Sequence, residues 1–170
     1  MVDMTTLARW LRHGSTGSWH RKRQFPTGTL TRIEAAIHAC ESLHPGEIRF
    51  AVEAALPLSA IWHGLSPRDR ALEVFAQHRV WDTEHNNGVL IYVLLADRDV
   101  EIVADRGVGN ARVPAAEWQS CCQLMEEAFR AGRFEQGSLA GIAAVAAVLT
   151  KYPPAQADAG NEMPDQPLLL

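Results

Sequence analysis

Between residues 82 and 105 the chain sets out oxygen donors of the kind that hold hard cations. Asp82, Glu84, Asn86 and Asn87 stand almost together, and Asp105 follows two apolar runs, GVLIYVLL and VEIVAD. If the two runs are strands of a hairpin that reverses at 96–98, the start of the first lies beside the end of the second. Three carboxylates and two carboxamide oxygens then share one rim, a set that suits Ca²⁺ or Mg²⁺, both of which take oxygen ligands. The same residues have a plainer use. Asn86 and Asn87 can cap the loop while Asp105 pairs with Arg106 or Arg112, all of it solvated.

Other groupings carry less. His78, Asp82 and His85 stand at i, i+4 and i+7, which on one continuous helix would form a zinc-binding face. A helix ending near Trp81 displaces His85 from that face. Asp97-Arg98-Asp99-Val100-Glu101 superficially resembles the D-x-D-x-T/V signature of aspartate-nucleophile phosphatases, but it fails at the fifth position and falls on a hairpin turn. Gly107-Val108-Gly109 begins like a dinucleotide-binding loop and ends at Arg112 instead of glycine. No G-x-S-x-G and no Walker lysine is present. Cys40, Cys121 and Cys122 form no C-x-x-C pair and read as reduced core thiols. Nothing in the sequence calls for an organic cofactor.

Charge separates the chain into unlike parts. Residues 4–33 carry six Arg or Lys and no acid, although the whole chain has a net charge of -4. Within this leader Arg9, Trp10, Arg12, Trp19, Arg21, Lys22 and Arg23 interleave bases with tryptophan, the mixture that suits an anionic membrane interface. Two placements answer it equally well: a membrane surface or membrane-bound partner, or a strap folded back on the acidic remainder of the chain. Nucleic acid is the weaker third, since no recognition motif accompanies the bases.

The elements that must position these residues follow from periodicity. Thr5–His13 has helical spacing, with Leu7, Trp10 and Leu11 on one stripe, and GSTGS breaks it. Thr29 opens a helix with Leu30, Ile33, Ala36, Ile37 and Cys40 on its apolar positions, stopped by Pro45-Gly46. Residues 47–56 alternate as a half-buried strand. Ser66-Pro67 caps a second helix of the domain. GVLIYVLL is apolar throughout and needs cover on both faces. Pro114 starts a helix that Gly132 stops, and a last helix runs from Phe134 to Lys151. Alternating helices and strands of this kind predict an α/β fold: a three-layer α/β/α sandwich with a mixed sheet, the hairpin 88–104 in it, and helices on both faces. Three segments result: a basic leader (1–28), an α/β domain (29–152) and an acidic, proline-rich tail (153–170) expected to be mobile. At 170 residues with 47% hydrophobic and 21% charged residues, the chain is too apolar for a disordered protein. No run reaches the ~20 apolar residues of a membrane span, and the start lacks the apolar core of a secretory signal. The expected location is therefore the cytoplasm, peripheral to the inner membrane if the leader attaches there.

From about residue 29 to 152 the chain resembles the TPM domain family. The resemblance rests on Glu41-Ser42 near the end of the opening helix, Gly46-Glu47-Ile48, Asn86-Asn87-Gly88-Val89-Leu90, the Asp97-Arg98 turn and the Gly107–Gly109 loop. Phe129-Arg130 with Gly132, and Phe134 with Gly137, complete it in order. It implies a compact α/β/α domain. Family members often sit at membranes through added segments, some bind divalent cations, and acid phosphatase activity has been proposed for a plant member. Where members usually carry Gly-Tyr-Gly after the return strand, this chain has Asp105-Arg106-Gly107, which puts the ligand chemistry of that loop in question. The expectation is a non-enzymatic accessory protein that docks a partner, with a cation or partner surface at 82–110. The rival is a metal-dependent phosphoester hydrolase using the same edge.

Overall fold

GVLIYVL is buried at every position because it occupies an inner place in a mixed sheet. The computed structural model describes residues 4–109, 111–153 and 160–170. Its strands are β1 (Glu47–Glu53), β2 (Gly88–Leu94), β3 (Asp99–Ala104) and β4 (Leu168–Leu169), in the order β3-β2-β1-β4. β1 and β2 run parallel, with Glu47 opposite Gly88 and Glu53 opposite Leu94. β2 and β3 form the antiparallel hairpin, from Val89 opposite Ala104 to Leu94 opposite Asp99.

The period-2 alternation of these strands sorts their side chains between two cores. Ile48, Phe50 and Val52 of β1, with Val89, Ile91 and Val93 of β2, face three helices. These are α3 (Thr27–Glu41), α6 (Ala115–Arg130) and α7 (Phe134–Lys151), which contribute Ile33, Ile37, Met125, Phe129, Ile142 and Leu149. Leu90, Tyr92 and Leu94 face the other way, onto Ile61 of α4 (Leu58–Trp62) and Ala71 and Val74 of α5 (Pro67–Gln77). Each fully buried side chain of this size is worth ~1.5–3 kcal/mol relative to exposure. A sheet bared on either face would forfeit several such contributions, so the three-layer arrangement follows.

On the second face one polar group is buried with its partners. The Tyr92 hydroxyl donates to Glu53 Oε2 at 2.6 Å, and Arg70 holds both oxygens of the same carboxylate, Nε at 2.9 Å and Nη2 at 3.1 Å. This satisfies a tyrosine whose ring is fully enclosed.

Several elements differ from what periodicity predicts. The leader holds two helices, α1 (Met4–Ser15) and α2 (Ser18–Gln24). α2 has a lone exposed Trp19 among polar residues and no apolar stripe to betray it. Its end delivers Phe25, 2% exposed, into the main core against Phe50, Phe129 and Phe134. α4 occupies the stretch between β1 and α5, to which periodicity assigns no element. α5 ends at Gln77, four residues short of Trp81, and Arg79 then turns the chain with a φ of +53°. The tail is corrected for residues 160–170, which are seated on the domain. Leu168 and Leu169 pair in parallel with β1, the Leu170 N–H donates to Val52 O at 3.0 Å, and Met163 is 8% exposed. Apolar residues at its end outweigh the prolines that marked it as mobile. Residues 154–159 of that tail lie outside the described residues.

Candidate functional site

The rim at the amino ends of β1 and β2 is built on close backbone approaches. A Cβ on Gly88 would stand 1.9 Å from the Val80 carbonyl oxygen, and one on Gly107 would stand 2.5 Å from the carbonyl oxygens of both His85 and Asn86. Only glycine lets these segments meet. Asn86 adopts a φ of +52°, a conformation asparagine tolerates better than most residues. The Asn87 backbone N–H is taken by Thr83 Oγ1 at 3.0 Å, and its Nδ2 donates to the Pro45 carbonyl. The Gly107 N–H donates to Asn86 O at 2.7 Å, and the Asp105 N–H to Gly88 O at 2.9 Å. The hairpin therefore brings Asn86, Asn87 and Asp105 to one place, as the antiparallel geometry requires.

Two oxygens there lack partners. Asn87 is fully buried and its Oδ1 accepts nothing; Asp105 is 7% exposed, its Oδ1 accepts the Arg106 backbone N–H at 2.7 Å, and its Oδ2 accepts nothing. Buried polar atoms are nearly always bonded, and one left alone costs ~1–3 kcal/mol. Both are hard oxygen acceptors, and the carbonyl oxygens of His85 and Asn86 crowd the same loop. This donor set fits a small oxygen-seeking cation. Among the described residues no group of three or more His, Cys, Asp or Glu could hold a metal ion, so an ion at this rim would rest on amide and carbonyl oxygens beside the single carboxylate of Asp105.

The structure gives the predicted members of this set different partners. Asn86 Oδ1 is occupied by Arg106 Nη2 at 2.9 Å. Asp82 is exposed and lies 3.8 Å from Arg79. Glu84 is exposed, and its backbone N–H donates to the Glu162 carboxylate at 2.9 Å. Among the described residues neither the Asp82 nor the Glu84 side chain hydrogen-bonds to Asn86, Asn87 or Asp105. The alternative pairing of Asp105 with a neighbouring arginine side chain is not formed; its contact with Arg106 is to the backbone. His78 caps the end of α5, and the early end of that helix removes the i, i+4, i+7 face on which the zinc reading depended. Cys40 and Cys121 are buried and Cys122 half-buried; burial pushes Cys40 and Cys121 up to about 11 and Cys122 to about 12. They are inert thiols.

Sequence reasoning missed Thr83, which orders Asn87, and Glu162, which the tail carries to the rim. The first has no spacing signal, and the second depends on a tail that composition marked as loose.

The opposite end of the sheet holds the leader. Arg9 Nη2 lies 2.8 Å and Arg12 Nη2 3.5 Å from Asp97, and His13 Nε2 lies 3.0 Å from the same carboxylate. Arg21 Nη1 donates to the Leu170 carbonyl, while Trp10 meets Trp62 edge-on at 5.9 Å. The strap placement is therefore formed by Arg9, Trp10, Arg12 and Arg21. Trp19 is 62% exposed, with Arg23 stacked 5.6 Å above its ring, and Lys22 and Arg23 carry no ion pair among the described residues.

Comparison with known proteins bears on this geometry. The profile of the TPM domain matches residues 23–148. The NMR structure of the BA42 protein from the psychrophilic bacterium Bizionia argentinensis superposes with a TM-score of 0.72 at 30% identity, covering 84% of this chain and 93% of that one. The N-terminal domain of a P. gingivalis protein, also solved by NMR, shares the fold with a TM-score of 0.59 at 20% identity, covering 77% of this chain and 82% of that one. No curated protein matches the sequence.

Proposed function

This chain belongs to the TPM domain family, and on that premise we propose that it is an accessory domain that docks a partner and takes a divalent cation, Ca²⁺ or Mg²⁺, at the rim formed by residues 82–110. The observation that carries this reading is the pair of buried, unpartnered oxygens, Asn87 Oδ1 and Asp105 Oδ2, at adjoining strand ends. Asn87 and Asp105 would hold the ion, with Asn86 joining if Arg106 releases it, and Asp82, Glu84 and Glu162 supplying negative potential from outside. The ion would lock the 85–88 and 105–109 segments together and so fix the shape of the surface a partner meets. The leader's Trp19, Lys22 and Arg23 would supply attachment at the inner membrane surface.

A calcium or magnesium titration followed by amide shifts tests the rim. The expected result is a saturable movement confined to residues 82–110 that Asp105→Asn abolishes. No movement at millimolar cation would remove the site. A phosphoester hydrolase remains the rival on the same edge, and metal-dependent phosphatase activity that requires Asp105 would favour it.

A further inference from the structure

The outer edge of the sheet is closed by side chains where a neighbouring strand would sit. Among the described residues β3 ends the sheet, with β2 on one side and no strand on the other. Its inward groups pair with β2, and two of its outward groups are met individually by side chains. The Val100 N–H donates to Glu126 Oε1 at 3.3 Å, and the Ile102 carbonyl accepts from Arg68 Nη1. Arg68 belongs to α5 and Glu126 to α6, so the edge is the floor of a groove of about 600 Å³ between those helices.

Two properties of the groove select what lies in it. It is acidic: Asp99, Glu101 and Glu126 line it with Arg68, which lies 3.2 Å from Glu101, while Arg130, outside the lining, holds Glu126 at 3.0 Å, so that among the described residues Asp99 is left without an ion pair. The crowding is felt by Asp99, which burial and then Glu101, Glu126 and Asp97 push up to about 6. It also holds a donor with nothing to donate to, the indole Nε1 of Trp118, a residue 6% exposed on the groove wall. That nitrogen is closed to solvent, so a peptide carbonyl would reach it only as the groove wall opens.

We infer that the β3 edge is a docking site for an extended, basic peptide segment of a protein partner, which adds a strand to the sheet by displacing Glu126 and Arg68 from the β3 backbone. Strand addition draws affinity from main-chain hydrogen bonds and specificity from alternate side chains. Lysine or arginine at those alternate positions would meet Asp99, Glu101 and Glu126. A second copy of this chain fits poorly, because two β3 edges paired antiparallel bring Asp99 and Glu101 against their own kind, and like charges opposed across strands are destabilising. The inference rests on the partner-docking role proposed above and is independent of the cation rim.

The test uses the full chain and two acetylated heptapeptides, one alternating lysine with valine and one alternating glutamate with valine. The lysine peptide is expected to shift the amides of residues 99–104 and the Trp118 indole N–H, with an affinity that falls as salt rises. The glutamate peptide is expected to leave them in place. Glu101→Lys/Glu126→Lys should weaken the lysine peptide roughly 10-fold, and Glu101→Gln/Glu126→Gln should fall between. No shift at about 1 mM lysine peptide, equal binding of both peptides, or binding unaffected by the charge reversal would overturn the inference. So would broadening of residues 99–104 with protein concentration alone, which marks self-pairing. Cation shifts at 82–110 without peptide shifts at 99–104 would remove this inference and leave the rim standing.

Discussion

Asp97, at the tip of the β2–β3 hairpin, lies 2.8 Å from Arg9 of the first helix, 88 residues away in sequence. His13 completes the clamp. Its Nδ1 accepts the Leu56 N–H at 2.9 Å, which places the ring proton on Nε2, and that nitrogen lies 3.0 Å from Asp97 Oδ1. One carboxylate thus ties α1 to the turn, and burial is what makes the tie count: the Asp97 side chain is 8% exposed and the His13 side chain 0%.

Asp97→Asn should release α1 without unfolding the domain. Removing a charge from a mostly buried pair costs about 2 kcal/mol, or roughly 4–8 °C in a chain of this length. Burial pushes Asp97 up, but Arg9 and His13 outweigh it and hold its carboxyl below the usual range. A lowered folded-state value stabilises above the unfolded value near 4, and that stabilisation is lost as pH falls through the folded one. The gap in Tm between wild type and Asp97→Asn should therefore hold steady from pH 5 to 8 and close below about pH 4. Amide exchange across residues 4–15 should accelerate in the variant. An unchanged exchange pattern would mean the clamp does not secure the helix.

Gly88→Ala should be far more costly than its size suggests. The added methyl meets a backbone oxygen at 1.9 Å, which cannot rotate aside as a side chain can, so the cost should reach or exceed the ~3 kcal/mol upper end of ordinary overpacking. Gly141→Ala offers the contrast. Its methyl would stand 2.2 Å from Met125 Sδ, a flexible group that can repack, and about 1–3 kcal/mol is expected. Denaturant melts of the two variants check the order.

Glu41 gives a pH dependence of the opposite sign to Asp97. Burial, then Glu47 and Asp165, raise it to about 8, despite the Ile48 N–H that donates to Oε1 at 2.9 Å. The folded protein therefore binds a proton that the unfolded chain releases near its ordinary value of 4.5, and this contribution to stability declines as pH climbs from about 4.5 to 8. Glu41→Gln keeps the oxygen that accepts from Ile48 and cannot ionise. It should match wild type at pH 5 and exceed it in Tm at pH 8.5. Equal melting at both pH values would show that Glu41 ionises normally in the fold.

What the sequence reveals follows the strength of the apolar pattern. The uniform run 88–94 announces a covered strand, and the hairpin geometry alone brings Asn87 beside Asp105. Asn87 and Asp105 are legible because a register of two residues per pleat leaves no freedom. Asp82 and Glu84 stand exposed beyond the early end of α5, after a backbone turn through Arg79 that no side-chain pattern signals. The clamp on Asp97 is legible only in outline: the leader's bases suit an anionic surface and an internal strap equally well, and only packing shows that Asp97 is the anion they meet. Phe25 and the terminal leucines were overlooked likewise, since single apolar residues amid polar or proline-rich sequence carry no period.

The leader's division of labour yields a prediction about surfaces. Arg9 and Arg21 are spent within the fold, and Arg12 shares Asp97 while half exposed. Lys22 and Arg23 remain free beside an exposed Trp19, and Leu7, Leu11, Leu58 and Trp62 add exposed apolar area on α1 and α4. Near an anionic membrane each free base is worth ~1 kcal/mol, so Lys22→Gln/Arg23→Gln should weaken sedimentation with phosphatidylserine vesicles by roughly 30-fold. Trp19→Ala should weaken it further, while Arg9→Gln lowers Tm and leaves partitioning intact. The distinction matters because both variants remove positive charge from the same 20-residue stretch, and a purely electrostatic leader would respond equally for each charge removed. Equal losses per charge would show that the leader unstraps before it binds, making the Asp97 clamp a latch; no loss from either would take the membrane away from this surface.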